Sequence, residues 1–309
     1  MEIIECKDYS YNIMEYLDNK SAMNYIKSCS TIYEYRDIYY KYKTLQVENT
    51  KEIPKEIRKI VRKIKGVRKI EEIEECENLE EIEFDDEFDE EIEKLSKNVR
   101  KIKFGRKYNK SINNISNNIE EIILGSEFNQ EIEKISTKLK KIVFGHKFNR
   151  TIENISDSVE EIEFGWSYNL KTKLPKKIKR VIFGWMFNEE IENIKELKEL
   201  KEIEYGWSYN RPMEELSENI EKIKIGMGYD QEIKKLPEKI KELCIYKKHE
   251  KLIKNMRKEI IKYQDIILGN SDNPIYIPKK KKRVETYSFN LAEGNKLNVN
   301  RNIFNNYYF

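Results

Sequence analysis

The sequence predicts a repeat solenoid of α/β type: one parallel sheet, one short strand per coil of about 20 residues, with helical segments before and after it. Three observations predict this. Gly105, Gly125, Gly145, Gly165, Gly184, Gly206 and Gly226 are spaced by 20, 20, 20, 19, 22 and 20 residues. Each is followed by an aromatic-Asn pair (Tyr108-Asn109, Phe128-Asn129, Phe148-Asn149, Tyr168-Asn169, Phe187-Asn188, Tyr209-Asn210), with Tyr229-Asp230 closing the series. The charge four residues before each glycine changes sign from coil to coil.

One unit illustrates the local physics. Ile122 and Leu124 alternate with Glu121 and Ile123, the period-2 pattern of a strand with one face inward. Gly125 ends that strand, and its expected reason is a backbone conformation that a Cβ would oppose. Phe128, Ile132 and Ile135 then supply the far wall of the coil, and a Ser-x-x-apolar or Leu-Pro segment returns the chain to the next strand. A single coil cannot bury its own apolar side, so it needs neighbours above and below. A degenerate earlier copy, Phe84-Asp85-Asp86-Glu87-Phe88-Asp89, keeps the apolar skeleton without Gly or Asn.

Stacking in register aligns Asn109, Asn129, Asn149, Asn169, Asn188 and Asn210. Buried amides need partners, and such a column can satisfy turn backbone groups from one coil to the next. The outward charges read Glu81, Lys101, Glu121, Lys141, Glu161, Arg180, Glu202, Lys222. With parallel strands about 4.8 Å apart, each lies between opposite charges. Such pairs contribute only about 0 to 1 kcal/mol each, but a slip of one coil would place like charges together.

All three tryptophans, Trp166, Trp185 and Trp207, directly follow the repeat glycine in consecutive coils, between His146 before and Met227 after. Two readings stand side by side. The rings stack on one another and shield a turn, or they form a target-binding patch, since Trp is enriched at binding hot spots. Arg106 and Ser126 occupy the same place in earlier coils, so the apolar patch is local.

The flanks divide as follows: residues 1–48 a small helical domain, 49–80 irregular early coils, 81–246 the repeats, 247–268 a helical cap, and 269–309 a tail. In the first, Ile13, Met14, Leu17, Ala22, Tyr25, Ile26 and Cys29 recur at helical spacing. In the cap, Leu252, Ile253, Met256, Ile260 and Ile261 do the same. In the tail, Lys279, Lys280, Lys281, Lys282 and Arg283 form a basic run that resembles a nuclear localisation signal and equally fits a solvated charged stretch.

Phe-Gly-His-Lys-Phe-Asn-Arg-Thr-Ile at 144–152, Phe-Gly-Trp-Met-Phe-Asn-Glu-Glu-Ile at 183–191, and the returning Leu174-Pro175 and Leu236-Pro237 resemble the FNIP repeat, a leucine-rich-repeat relative of amoebae and their giant viruses. Ser96, Ser116, Ser136, Ser156 and Ser217 stand where that family carries Pro. Residues 13–33 resemble an F-box, although the Leu-Pro that opens that motif has no counterpart at Glu5-Cys6. This resemblance implies docking on a Skp-family adaptor of a cullin-RING ubiquitin ligase through Ile13, Met14, Leu17, Tyr25, Ile26 and Cys29, with the repeats holding an unknown protein target. A helical cap that only seals the first coil is the competing reading.

Composition narrows the remaining classes. Lys+Arg 59 against Asp+Glu 56 leaves a formal charge of +3, so no broad field gathers nucleic acid or an anionic membrane. No apolar run approaches membrane-spanning length. The cysteines (Cys6, Cys29, Cys76, Cys244) lack a C-x-x-C pairing and read as reduced structural thiols. The expected compartment is therefore the cytoplasm, of the host if the chain is viral, or the nucleus if the basic run is read as a signal. Two histidines about a hundred residues apart, and glycines that recur rather than cluster, give no triad, metal site or phosphate loop. The sequence implies neither an enzyme nor a cofactor.

Overall fold

Among the residues that the computed structural model describes, twelve short strands stack in sequence order into one sheet. The structure describes residues 44–46, 58–93, 95–113, 115–133, 135–213, 215–253, 258–264, 285–290 and 296–301. The strands are β1 (Thr44–Gln46), β2 (Lys63–Val67), β3 (Glu81–Phe84), β4 (Lys101–Lys103), β5 (Glu121–Ile123), β6 (Lys141–Val143), β7 (Glu161–Glu163), β8 (Arg180–Ile182), β9 (Glu202–Glu204), β10 (Lys222–Lys224), β11 (Glu242–Tyr246) and β12 (Ile261–Gln264). From β1 to β11 every neighbouring pair is parallel.

The alternation of the sequence sets the register. Ile82, Ile102, Ile122, Ile142, Ile162, Val181, Ile203 and Ile223 pair across consecutive strands and are buried. Each contributes about 1.5 to 3 kcal/mol by leaving water. Behind the sheet, the aromatics of the Asn pairs form a second buried column. Phe128, Phe148, Tyr168 and Phe187 stack at centroid separations of 6.0, 6.0 and 6.1 Å. Within a coil the ring before the glycine packs on this column, as Phe164 does on Tyr168 at 3.9 Å.

The glycine explanation needs correction. Among the described residues the positive-φ glycine is Gly66, at φ 76°, where β2 and β3 shift register. The repeat glycines are required by space instead. A Cβ on Gly184 would lie 1.8 Å from the carbonyl oxygen of Gly165, because each coil seats its glycine against the one before.

The Asn column forms as expected and is half-buried or exposed rather than sealed. Asn129 Oδ1 accepts from the Asn149 N–H at 3.0 Å, Asn149 Oδ1 from Asn169 at 3.0 Å, and Asn169 Oδ1 from Asn188 at 2.8 Å. The return turns explain why Ser and Pro exchange. The carbonyl of Ser156 accepts from Val159 N–H at 3.1 Å, and that of Pro175 from Ile178 N–H at 3.2 Å, so both residues open the same turn. Neither turn needs their N–H. Ser136 also ties coils together, its hydroxyl donating to the Asn117 carbonyl at 2.7 Å.

The charge ladder is present: Lys101–Glu121 at 3.3 Å, Lys141–Glu161 at 3.4 Å, Arg180–Glu202 at 3.2 Å and Lys222–Glu202 at 3.0 Å. A second ladder, one residue earlier, joins Arg100 to Glu120 at 3.5 Å, Lys179 to Glu160 at 2.7 Å and Lys201 to Glu221 at 2.9 Å.

Three boundaries differ from expectation. The segment 44–46, assigned to a helical domain, is β1 and pairs with β2 through Thr44–Lys63, Leu45–Ile64 and Gln46–Lys65. The expected helical cap at 247–268 contains, in its described part, 3-10 turns at Lys247–Leu252 and Lys258–Ile260 followed by β12. Helical spacing of Leu252, Ile253 and Ile260 loses there to the open edge of β11, whose unpaired backbone groups are satisfied by one more strand. No complete α-helix falls among the described residues, where the return legs are turns, irregular segments and short 3-10 turns such as Ile70–Glu72 and Ile194–Glu196, so the α/β label does not hold for them. A separate unit in the tail holds the antiparallel pair β13 (Glu285–Asn290) and β14 (Lys296–Arg301), which the sequence reading left without structure.

Candidate functional site

The tryptophans are placed by backbone before side chains are considered. Each directly follows the glycine that opens a turn, and at Trp185 that turn is closed by the Gly184 carbonyl, which accepts from Phe187 N–H at 3.4 Å. Its own carbonyl accepts from the next coil: Trp166 from Met186 N–H at 3.0 Å, Trp185 from Ser208 N–H at 2.9 Å, and Trp207 from Gly228 N–H at 2.8 Å. Successive turns are thus locked at strand spacing, and the indoles have little choice but to lie face to face. Trp166 and Trp185 stack at 4.6 Å and 3°, and Trp185 and Trp207 at 4.6 Å and 5°.

His146 approaches Trp166 at 6.5 Å with its ring tilted by 51°, so the stack ends there. At the other end Met227 is half-buried, and its carbonyl lies 3.3 Å from Nε2 of the buried His249. Burial holds the His249 imidazole below its ordinary pKa, in keeping with the neutral ring that this contact and the Tyr246 N–H to Nδ1 bond at 3.3 Å require. The three indoles are half-exposed, and their N–H groups have no hydrogen-bond partner among the described residues.

The neighbouring position divides the solenoid in two. In the early coils it reads Glu87, Lys107, Glu127, Lys147, which pair as Lys107–Glu87 and Lys147–Glu127. Beside the tryptophans it reads Ser167, Met186, Ser208, Gly228, with Met186 47% exposed. The rings stack, as the first reading expects, and they leave an uncharged, half-exposed ridge at the surface.

A second feature escaped the sequence reading. The outward position two before each glycine reads Glu83, Lys103, Ile123, Val143, Glu163, Ile182, Glu204, Lys224. At the ends the charges pair, Lys103 with Glu83 at 2.7 Å and Lys224 with Glu204. In the middle, Glu163 sits in register between Val143 and Ile182. Its side chain makes no hydrogen bond or ion pair among the described residues. Burial raises its pKa above the ordinary carboxylate value, opposed by the charge of Arg180 and reinforced by that of Glu204. The sequence carries the signal, a column charged in the outer coils and apolar at Ile123, Val143 and Ile182 in the inner ones.

Ile13, Met14, Leu17, Tyr25, Ile26 and Cys29, and Lys279, Lys280, Lys281, Lys282 and Arg283, fall outside the described residues. Cys76 and Cys244 are free and buried, with thiol pKa values pushed by burial up to about 11 and about 12, which makes them poor nucleophiles. Among the described residues no helix is long and apolar enough to cross a membrane, and no cluster of His, Cys, Asp and Glu has the geometry of a metal site.

No family model matches the sequence, and no curated protein matches it. Solved structures of leucine-rich-repeat proteins are among those similar to this chain. CroV588, a circular leucine-rich-repeat protein of a giant virus, is 19% identical, with a TM-score of 0.45 over 71% of this chain and 42% of its own. A leucine-rich-repeat protein from Bacteroides ovatus is 10% identical, with a TM-score of 0.20 over 72% of this chain and 84% of its own. The chain spans less than half the length of CroV588.

Proposed function

We propose that this chain is a non-catalytic scaffold that binds a protein target along the ridge of Trp166, Trp185 and Trp207, with His146 and Met227 at its ends. The observation that carries the reading is the stack itself: three parallel indoles, held by backbone bonds between coils, half-exposed and beside an uncharged row. Rigid aromatic surface of this kind loses little side-chain entropy on binding. Its test is Trp207→Ala in the full chain, assayed against the partner that the wild type recovers by proximity labelling in cells. Affinity should fall about 30-fold or more, the effect of losing a hot spot of about 2 kcal/mol. Stability should fall by only about 0.5 to 1.5 kcal/mol, one lost stack. A partner bound equally by both chains would refute the ridge.

The finer reading is that the scaffold is the substrate-recognition adaptor of a ubiquitin ligase of the Skp, cullin and F-box kind. Its support is the F-box-like spacing of Ile13, Met14, Leu17, Tyr25, Ile26 and Cys29 in the sequence. The full chain should then co-precipitate a Skp-family adaptor, and Leu17→Asp should abolish that while target binding persists. A wild-type chain that recovers no such adaptor leaves the stand-alone scaffold as the function.

A further inference from the structure

The carboxylates that face outward from β3 to β11 are Glu81, Glu83, Glu121, Glu161, Glu163, Glu202, Glu204 and Glu242. Glu81 pairs with Lys63, Glu83 with Lys103, Glu121 with Lys101, Glu161 with Lys141, Glu202 with Arg180 and Lys222, Glu204 with Lys224, and Glu242 with Lys222 and Lys262. Glu163 alone among them has no cation within 4 Å among the described residues. The cations nearest in sequence register, Lys141 and Arg180, are engaged by Glu161 and Glu202.

Packing has no use for a charge at this position. Val143 and Ile182 flank Glu163 in register, and Ile123 lies beyond Val143. A valine at 163 would complete an apolar strip across four strands, whereas an ionised carboxylate there is partly desolvated with no cation paired to it among the described residues. Four strands at about 4.8 Å spacing cover about 14 Å, the reach of about four residues of extended chain. The tryptophan ridge begins three residues on in the same coil, at Trp166.

We propose that Ile123, Val143, Glu163 and Ile182 form a docking strip for an extended segment of a partner protein, which sets one lysine or arginine on Glu163 and apolar side chains to either side. The inference rests on the protein-binding reading above and specifies the chemistry of the partner. Charge complementarity selects this occupant: the strip offers one unpaired anion in an apolar frame, and a cation with apolar neighbours satisfies both parts. An acidic or uniformly polar segment satisfies neither.

The experiment presents a displayed library of random twelve-residue peptides to the immobilised full chain and measures the selected peptides against wild type, Glu163→Gln and Trp207→Ala. Selected peptides should share a Lys or Arg with apolar residues within two positions. Glu163→Gln should weaken them about tenfold or more, the cost of removing one partner of a desolvated charge pair. Changing the basic residue of the peptide to Gln should weaken wild-type binding to the same extent and add nothing in Glu163→Gln. The thermal midpoint of Glu163→Gln should equal or exceed that of wild type, which separates lost binding from lost folding. Peptides without a basic residue, peptides indifferent to Glu163→Gln, or a library that never enriches would overturn the proposal. Peptides that lose affinity in Trp207→Ala but not in Glu163→Gln would overturn the strip and leave the ridge standing, while indifference to both would remove both.

Discussion

Gly184→Ala is expected to destabilise the solenoid by about 3 to 5 kcal/mol, at the severe end for a substitution that adds one methyl group. The added Cβ would stand 1.8 Å from the Gly165 carbonyl oxygen, 2.4 Å from its carbon and 3.1 Å from the Phe164 oxygen. All three are backbone atoms, so no side chain can swing aside. Relief requires β8 to withdraw from β7, which breaks the Phe164 N–H to Ile182 bond of 2.8 Å and the Met186 N–H to Trp166 bond of 3.0 Å. Hydrogen exchange would localise the damage to coils 161–210, and chemical denaturation would measure its size. Gly184→Asn distinguishes the two explanations for a conserved spacing of glycines within this chain. Asn tolerates positive φ better than Ala does, so a conformational requirement would make Asn the milder change. A spatial requirement makes Asn at least as damaging, and that is the expected result.

The error about glycine shows where reading the chain alone stops. Period, strand position and the choice of inward residues all follow from local patterning, which is why Ile122, Ile142 and Ile162 fall in register as the alternation requires. The reason for Gly184 lies in an atom nineteen residues earlier, the Gly165 oxygen, and no local pattern contains that distance. The alternating ladder was legible because opposite charges at a fixed period announce their own pairing. The strip around Glu163 was written as plainly but needed a second column to be followed by itself. The ends were least legible. β1 and β12 carry no repeat glycine and join the sheet because the strand beside each leaves backbone donors and acceptors open, a tertiary demand that outweighs the helical spacing of Leu252, Ile253 and Ile260. Of the candidate site, the position of Trp166, Trp185 and Trp207 is evident from sequence, whereas their stacking depends on coil-to-coil bonds of their own carbonyls.

Phe148→Ala tests whether energy is shared along the column or held coil by coil. The ring is fully buried, 3.9 Å from Phe144, and 6.0 Å from both Phe128 and Tyr168. Its removal leaves a cavity between backbones that are hydrogen-bonded on both sides and cannot collapse, so the loss should reach about 3 to 5 kcal/mol. In a solenoid stability is approximately a sum of coil energies and nearest-neighbour interfaces. A lesion in the middle weakens two interfaces and divides the array, so denaturant unfolding of Phe148→Ala should broaden or split, with protection lost first in 121–170. Phe88→Ala makes an equivalent cavity near the start of the array, where the ring packs on Phe84 at 4.1 Å and Tyr108 at 5.8 Å. There only the coils before it should fray, and the coils bearing the tryptophans should unfold at the wild-type midpoint. A single sharp transition with an unchanged denaturant slope in both variants would mean that coupling between coils greatly exceeds the cost of either cavity, and the ridge of Trp166, Trp185 and Trp207 would then sense damage at Phe88 as strongly as damage at Phe148.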